Sequence, residues 1–129
     1  MSNTNKSTYM SRRNFMLAAA AGVLAACRTL RPADRQAVAG NINFRVTGTR
    51  RPSVIFVHGF CCALEDWDAQ VKALSPEFRC VALDLPGHGA SAAPAIVSIA
   101  NMSAAVNQVK DLVGPGRKIL VGHSMGCRV

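Results

Sequence analysis

The 129-residue sequence predicts an α/β fold with a mostly parallel sheet and flanking helices. Three short runs of β-branched and apolar residues, 53–58, 79–83 and 118–121, have the composition of strands buried on both faces. Between these runs lie two segments whose apolar residues recur at helical spacing. Since parallel strands joined through helices need crossover connections, the three strands are expected to run in the same direction.

An alternating segment precedes the first buried run. Ile42, Phe44 and Val46 alternate with polar residues, which predicts a strand with one buried face. The dipeptide Gly40-Asn41 is typical of a hairpin turn. The short stretch 37–39 is therefore expected to lie before that turn.

The two helical segments differ in how they begin and end. The first has Leu64, Trp67, Val71 and Leu74 at spacings of three, four and three, and Ser75-Pro76 ends it. The second ends at Gly114-Pro115-Gly116. Its predicted buried face consists of Met102, Ala105, Val106, Val109, Leu112 and Val113.

Composition excludes several classes of protein. With 50% apolar and 17% charged residues, the chain is neither a disordered tail nor a collagen-like repeat, and five cysteines in this length do not predict a disulfide framework. The formal net charge is +8, but the basic residues form no stripe on one helix and are not interleaved with aromatics, so no nucleic-acid partner is expected. The histidine spacing suggests no metal site, and no cofactor is expected.

The N-terminal 26 residues have the pattern of an export signal. Residues 15–26 are uncharged and follow Arg12 and Arg13. A helix of this length reaches only about 18 Å, too short to cross a bilayer, and is typical of a signal-peptide core. The arginine pair resembles the twin-arginine translocation signal. Met10 is an alternative start.

The end of this apolar run predicts a lipid anchor. Leu24-Ala25-Ala26-Cys27 resembles the bacterial lipobox, in which the cysteine thiol receives a diacylglyceryl group. The alternative is an ordinary cleavage region that happens to contain Cys27. Residues 27–35 are interpreted as a basic tether, which either is plain linker or adds contacts to anionic headgroups. We expect an exported protein anchored at the periplasmic or extracytoplasmic face of a bacterial membrane.

The third buried run leads directly into Gly122-His123-Ser124-Met125-Gly126. Gly-X-Ser-X-Gly between a strand and a helix is the pattern of a nucleophile elbow, a sharp turn that lifts the serine hydroxyl clear of the sheet. The flanking glycines leave room for the strand and the helix to pass closely. The simpler alternative is that Ser124 only caps a helix.

Several motifs together resemble the α/β-hydrolase family, in its branch of esterases, perhydrolases and carbon–carbon hydrolases. They are His58-Gly59-Phe60, Trp67, Asp84-Leu85-Pro86-Gly87-His88-Gly89-Ala90-Ser91 and the serine pentapeptide, and the resemblance covers residues 36–129. It implies Ser124 as nucleophile, with an oxyanion hole formed by the backbone N–H groups of Phe60 and Met125. The substrate implied is a small acyl or ester compound.

The catalytic acid and base are not found in this sequence. In this fold the chain order is Ser, then Asp or Glu, then His, and all three histidines precede Ser124. We expect His58, His88 and Asp84 to order loops and His123 to pack behind the elbow. The chain is therefore interpreted as the N-terminal half of a hydrolase, truncated after the elbow. The alternative is a non-catalytic lipoprotein remnant.

Two further expectations concern the apolar strand edge and the cysteines. The run Ile119-Leu120-Val121 is expected to lie at an uncovered sheet edge, which is prone to aggregation. The vicinal Cys61 and Cys62 are not expected to bridge each other, and could line the substrate pocket. Cys80 and Cys127 are expected in element interiors as small apolar residues.

Overall fold

The computed structural model describes residues 35–129, which form a five-stranded sheet with helices on both faces. The strands are β1 (Arg35–Ala39), β2 (Ile42–Thr47), β3 (Ser53–Val57), β4 (Arg79–Leu83) and β5 (Lys118–Gly122). The helices are α1 (Asp68–Leu74) and α2 (Ile99–Leu112), with short 3₁₀ helices at Leu64–Trp67 and Ser124–Cys127. The predicted α/β fold class is confirmed.

The strand order is β1-β2-β4-β3-β5. β3 pairs in parallel with β4 and β5, as predicted, whereas β1, β2 and β4 pair in an antiparallel manner. The loops after β3, β4 and β5 therefore all leave at the carboxyl ends of these parallel strands. We call this end of the sheet the carboxyl edge, which is distinct from the edge strands β1 and β5. The opposite end of these three strands is the amino edge.

Each face of the sheet has its own apolar core. On one face, Ile55, Val57, Val81 and Leu83 pack with Met102, Val106 and Val109 of α2. On the other face, Val54, Phe56, Cys80 and Ala82 pack with Leu64 and Val71. β3 is buried along its whole length, because helices cover both of its faces and strands flank both of its sides. This rigid centre supports the loops at the carboxyl edge.

Two burial predictions were wrong. Asn43 was expected on the exposed face of β2 but is only 2% exposed, because its side chain is hydrogen-bonded to the buried Asp84 carboxylate. Leu112 was expected on the buried face of α2 but is 56% exposed. Val113, four positions after Val109 and also predicted on this face, is buried and ends the stripe, whereas Leu112 lies beside it on the solvent side.

The first helical segment is split into a 3₁₀ helix and α1. Trp67, the last residue of the 3₁₀ helix, has φ −93° and ψ 2°, outside the α-helical region. Its ring packs on Phe56 with 5.1 Å between ring centroids. The predicted apolar spacing holds in spite of the split, because Leu64 and Val71 still reach the same core.

β5 forms one edge of the described sheet, as expected from its sequence. The prediction that this strand is buried on both faces was wrong, because β5 has a neighbouring strand on one side only among the described residues: Ile119 is 37% exposed and Leu120 is 57% exposed. Val121 packs against the core on the α1 face. This edge presents apolar side chains beside unpaired backbone groups.

The signal peptide at 1–26, with Arg12 and Arg13, and the lipidation site Cys27 lie outside the described residues. The same holds for the tether except Arg35, at which β1 begins. Within residues 35–129, no helix has the length and hydropathy needed to cross a membrane.

Candidate active site

Ser124 follows β5 directly, at the carboxyl edge of the sheet. Its φ is +52°, in the left-handed region that non-glycine residues rarely adopt, and the residue is exposed. Such a conformation costs on the order of 1–3 kcal/mol and persists only where the surroundings enforce it. The strained elbow geometry predicted from the pentapeptide is therefore present.

The two glycines of the pentapeptide are needed because backbone atoms approach them closely. A Cβ atom on Gly126 would lie 2.3 Å from the carbonyl oxygen of Val57, and one on Gly122 would lie 2.5 Å from that of Gly126. The His123 N–H donates to the Val57 oxygen over 3.1 Å. The elbow is thus seated directly on the carboxyl end of β3.

The loop after β3 lies against the elbow. A Cβ atom on Gly59 would be 3.3 Å from the Cβ of Ser124, so only a glycine lets the two segments come this close. Phe60 and Met125 are therefore carried by neighbouring loops. None of the hydrogen bonds found among the described residues uses the backbone N–H of Phe60 or of Met125. Both donors are available for an acceptor beside Ser124.

His58 joins the loops that follow β3 and β4. Its Nε2 accepts from the Leu85 N–H over 3.0 Å, so its Nδ1, 2.7 Å from the Gly59 oxygen, carries the proton and donates. Only 1% of the residue is exposed. Desolvation by burial lowers the pKa of His58, more than the Gly59 hydrogen bond raises it. The expected loop-ordering role is confirmed.

Asp84 holds three segments together through one buried carboxylate. Oδ1 accepts from the Leu64 N–H over 2.7 Å, and Oδ2 accepts from the Asn43 side chain over 2.8 Å and the Ala90 N–H over 2.9 Å. The Ser91 hydroxyl donates to the Asp84 carbonyl oxygen over 2.7 Å. With its acceptor sites used by structural donors, this residue organises loops, as predicted.

The prediction for His123 was wrong, whereas His88 lies as expected. His88 is bonded within its own loop, its Nδ1 lying 3.2 Å from the Pro86 oxygen, and its ring packs near those of His58 and Phe60. His123 is exposed and lies beside Gly59. Its position between β5 and the 3₁₀ helix of the elbow places the ring beside the loop that follows β3, where it lines a cavity.

No histidine is bonded to the serine. Within residues 35–129, the Ser124 hydroxyl makes no hydrogen bond to any of the three rings. His58 has both ring nitrogens engaged with backbone groups. The described residues thus provide an elbow and candidate oxyanion donors but no general base in contact with Ser124.

A cavity of about 320 Å³ lies beside the loop that follows β3. It is lined by His58, Gly59, Cys62, Asp66, Trp67, Gln70 and His123. The Trp67 indole N–H is buried and has no hydrogen-bond partner among the described residues. Of the cysteine pair, Cys62 lines this cavity and Cys61 is exposed, and a place in the substrate pocket stays a prediction for both.

The other two cysteines differ from each other. Cys80 is fully buried in β4, and desolvation raises the pKa of its thiol. Cys127 was expected in an element interior but is exposed, because its short 3₁₀ helix presents it outward, where its Sγ donates to the Gly122 oxygen over 3.0 Å. In the part of the chain that the structure describes, no three side chains are grouped as metal ligands would be.

The chain is similar in sequence to several known proteins. A family model described as "alpha/beta hydrolase fold" matches residues 52–129. The pimeloyl-[acyl-carrier protein] methyl ester esterase of Nitrosomonas europaea is 36% identical over 89 residues, which are 69% of this chain and 33% of that protein. The dihydrolipoyllysine-residue acetyltransferase component of the acetoin cleaving system of Cupriavidus necator is 36% identical over 86 residues, which are 66% of this chain and 23% of that protein.

Solved structures show the same fold. An epoxide hydrolase from Vigna radiata superposes with a TM-score of 0.62 at 32% sequence identity, over 72% of this chain and 32% of that one. The chain therefore spans about a quarter to a third of the length of these relatives.

Proposed function

The chain belongs to the α/β-hydrolase fold family, and from this premise we propose that it forms part of a serine-nucleophile hydrolase. The observation that carries the proposal is the left-handed Ser124 held on the end of β3, directly beside the Gly59 loop. The bond cleaved is an ester bond or a related acyl or carbon–carbon bond in a small molecule. The methyl ester esterase among the relatives supports this class of substrate.

In the proposed reaction, the Ser124 hydroxyl oxygen attacks the substrate carbonyl. The negative charge that develops on the carbonyl oxygen is stabilised by the N–H groups of Phe60 and Met125. Their lack of partners among the described residues and the contact between their loops support this role. Removing one such donor commonly costs about 3–4 kcal/mol of transition-state stabilisation.

The base that takes the Ser124 proton is proposed to come from outside the described residues. His58 is fully engaged in backbone hydrogen bonds, and the chain order of this fold places an acid and then a histidine after the serine. That histidine would accept the serine proton and return it to the leaving group, and water would then release the acyl group.

Export and lipid anchoring through Cys27 form part of the same proposal. They are supported by the charge-free run 15–26 that follows Arg12 and Arg13, and by the lipobox-like sequence that ends at Cys27. The protein would act at the periplasmic or extracytoplasmic face of a bacterial membrane.

The test compares two proteins that differ in the segment after the elbow. The 129-residue chain should hydrolyse p-nitrophenyl acetate no faster than its Ser124→Ala variant, because the serine has no base in contact. A chimera that continues after Val129 with the corresponding part of the Nitrosomonas europaea esterase should show turnover that Ser124→Ala removes. Turnover by the chimera that is independent of Ser124 would contradict the proposed nucleophile. A folded chimera without turnover would favour the alternative, a non-catalytic lipoprotein remnant.

A further inference from the structure

The amino edge of the sheet carries basic side chains that the proposed reaction does not use. Ser53, the first residue of β3, is paired with Arg79 on one side and with Lys118 on the other. Because neighbouring strands lie about 4.8 Å apart, the α-carbons of these two basic residues are about 10 Å apart. We define the basic edge as Arg50, Arg51, Arg79, Arg117 and Lys118.

Little of this charge is compensated. Arg50 is paired with Glu77 over 2.8 Å, and both side chains are exposed. Within residues 35–129, the other four basic residues form no salt bridge. Arg79 donates to the Val113 carbonyl oxygen and Lys118 to that of Gly116, so their charges remain. Arg51 and Arg117 are exposed. The edge therefore presents a concentrated positive field to solvent.

The opposite edge has acidic residues. Glu65, Asp66 and Asp68 follow β3 at its carboxyl end, where Asp68 is paired with Arg45. Strands of five residues separate the two edges by about 17 Å. Two acidic residues, Glu77 and Asp111, lie near the basic edge, so basic side chains outnumber acidic ones there by five to two. The carboxyl edge, which carries the elbow, has no such excess of positive charge.

We propose that the basic edge binds an anionic membrane surface through the phosphates of lipid headgroups. β1 runs in the direction of β4, and its first residue, Arg35, is level with Val81 in the middle of that strand. Only seven residues separate Cys27 from Arg35, so a lipid on Cys27 would keep the basic edge within reach of the membrane surface.

The choice of a lipid surface as partner rests on the proposed lipid attachment at Cys27. The positive charge of the basic edge is independent of that proposal. A nucleic acid would also be attracted by this charge. Proteins that bind single strands add aromatic side chains on which bases stack, and the exposed aromatic residue Phe60 lies at the opposite edge. The lipid surface is therefore the partner that the observations favour.

The test uses the full 129-residue chain with Cys27→Ser, so that no attached lipid contributes. Its partition is measured on phosphatidylcholine vesicles with and without phosphatidylglycerol, and the neutral vesicles report any binding by the apolar run 15–26. The edge variant carries Arg51→Gln, Arg117→Gln and Lys118→Gln. The matched control loses three charges away from the basic edge, through Arg45→Gln, Lys72→Gln and Arg128→Gln.

Each basic side chain near an anionic surface contributes about fivefold to binding. We expect the edge variant to lose on the order of 100-fold in partition onto the anionic vesicles, and the control variant less than about fivefold. An Arg51→Lys, Arg117→Lys variant should retain binding, because charge and not guanidinium geometry is recognised. Melting curves by circular dichroism show whether each variant is folded.

Two results would overturn the proposal. One is an equal loss of vesicle binding in the edge and control variants. The other is unchanged vesicle binding by a folded edge variant, including the case in which that variant loses only its binding to a short DNA duplex.

A failure of lipid attachment can be told apart from a failure of the basic edge. Absence of fatty-acid label on Cys27 in the unsubstituted protein would contradict lipid attachment, while the vesicle comparison would still decide whether the basic edge binds lipid.

Discussion

At the scale of single residues, Asp84 is the polar group on which the loops of the carboxyl edge most depend. It is 1% exposed, and its two carboxylate oxygens accept from Leu64, Asn43 and Ala90. In Asp84→Asn, an NH₂ group replaces one acceptor and faces N–H donors. We expect the free energy of unfolding to fall by about 3 kcal/mol, measured by urea denaturation.

The control for this change is Asp66→Asn. Asp66 also accepts a backbone hydrogen bond, from Ala63 over 2.9 Å, but it is exposed to solvent. We expect Asp66→Asn to lower the free energy of unfolding by no more than about 1 kcal/mol. Equal effects of the two substitutions would show that the buried network is not what stabilises these loops.

His58 should make stability depend on pH. Burial lowers its pKa in the folded protein, whereas the unfolded ring has the ordinary value of 6.5, so the unfolded chain binds more protons as the pH falls below that value. Stability is therefore complete above about pH 6.5 and declines below it. In His58→Gln, the slope of unfolding free energy between pH 6.5 and 5 should be smaller. An unchanged slope would mean that another group causes the acid sensitivity.

The directions of single side chains were the least predictable residue-scale features. His123 and Cys127 are exposed where burial was expected, and Asn43 is buried where exposure was expected. Asn43 is held by Asp84, 41 residues further along the chain. Local periodicity contains no information about such contacts. Asp84 and His58 were predicted better, because a polar residue at the end of a buried strand has few partners other than the neighbouring loops.

At the scale of elements, the elbow depends on Gly126, because a residue with a side chain would not fit there. In Gly126→Ala, the new methyl group would overlap the Val57 carbonyl oxygen, which is backbone and cannot move away cheaply. We expect a loss of about 3 kcal/mol in unfolding free energy. The matched control is Gly114→Ala, where φ is +84° but no atom lies within 4 Å, so only backbone strain of about 1 kcal/mol is expected. Similar losses at both positions would contradict the close packing of the elbow.

The strands were predicted more closely than the helices. β4 has the predicted bounds, and β3 and β5 differ from theirs by one residue, because short β-branched and apolar runs bounded by turn residues are typical of strands. The first helix was predicted as continuous, yet Trp67 interrupts it where its ring packs on Phe56. Apolar spacing reports which side chains are buried, and it does not distinguish one α-helix from a 3₁₀ helix followed by an α-helix.

At the scale of the whole molecule, anchoring is predicted to depend on one thiol. Cys27→Ser should abolish incorporation of a fatty-acid analogue and release the protein from the membrane fraction, because the lipid is attached through that sulfur. Cys61→Ser is the matched control, since it removes an exposed thiol of the described domain and should leave labelling intact. Equal labelling of wild type and Cys27→Ser would refute the lipoprotein proposal.

The central claim is that the elbow presents Ser124 as the nucleophile of a hydrolase. It is tested most directly by treating the folded chimera with a fluorophosphonate and locating the phosphonylated residue by peptide mass spectrometry. A serine held next to a histidine base reacts with this reagent far faster than an ordinary serine, because the base removes the hydroxyl proton. We expect modification at Ser124, lost in Ser124→Ala and strongly reduced in the 129-residue chain alone. Modification of a different residue, or none in a chimera that hydrolyses p-nitrophenyl acetate, would contradict Ser124 as the nucleophile.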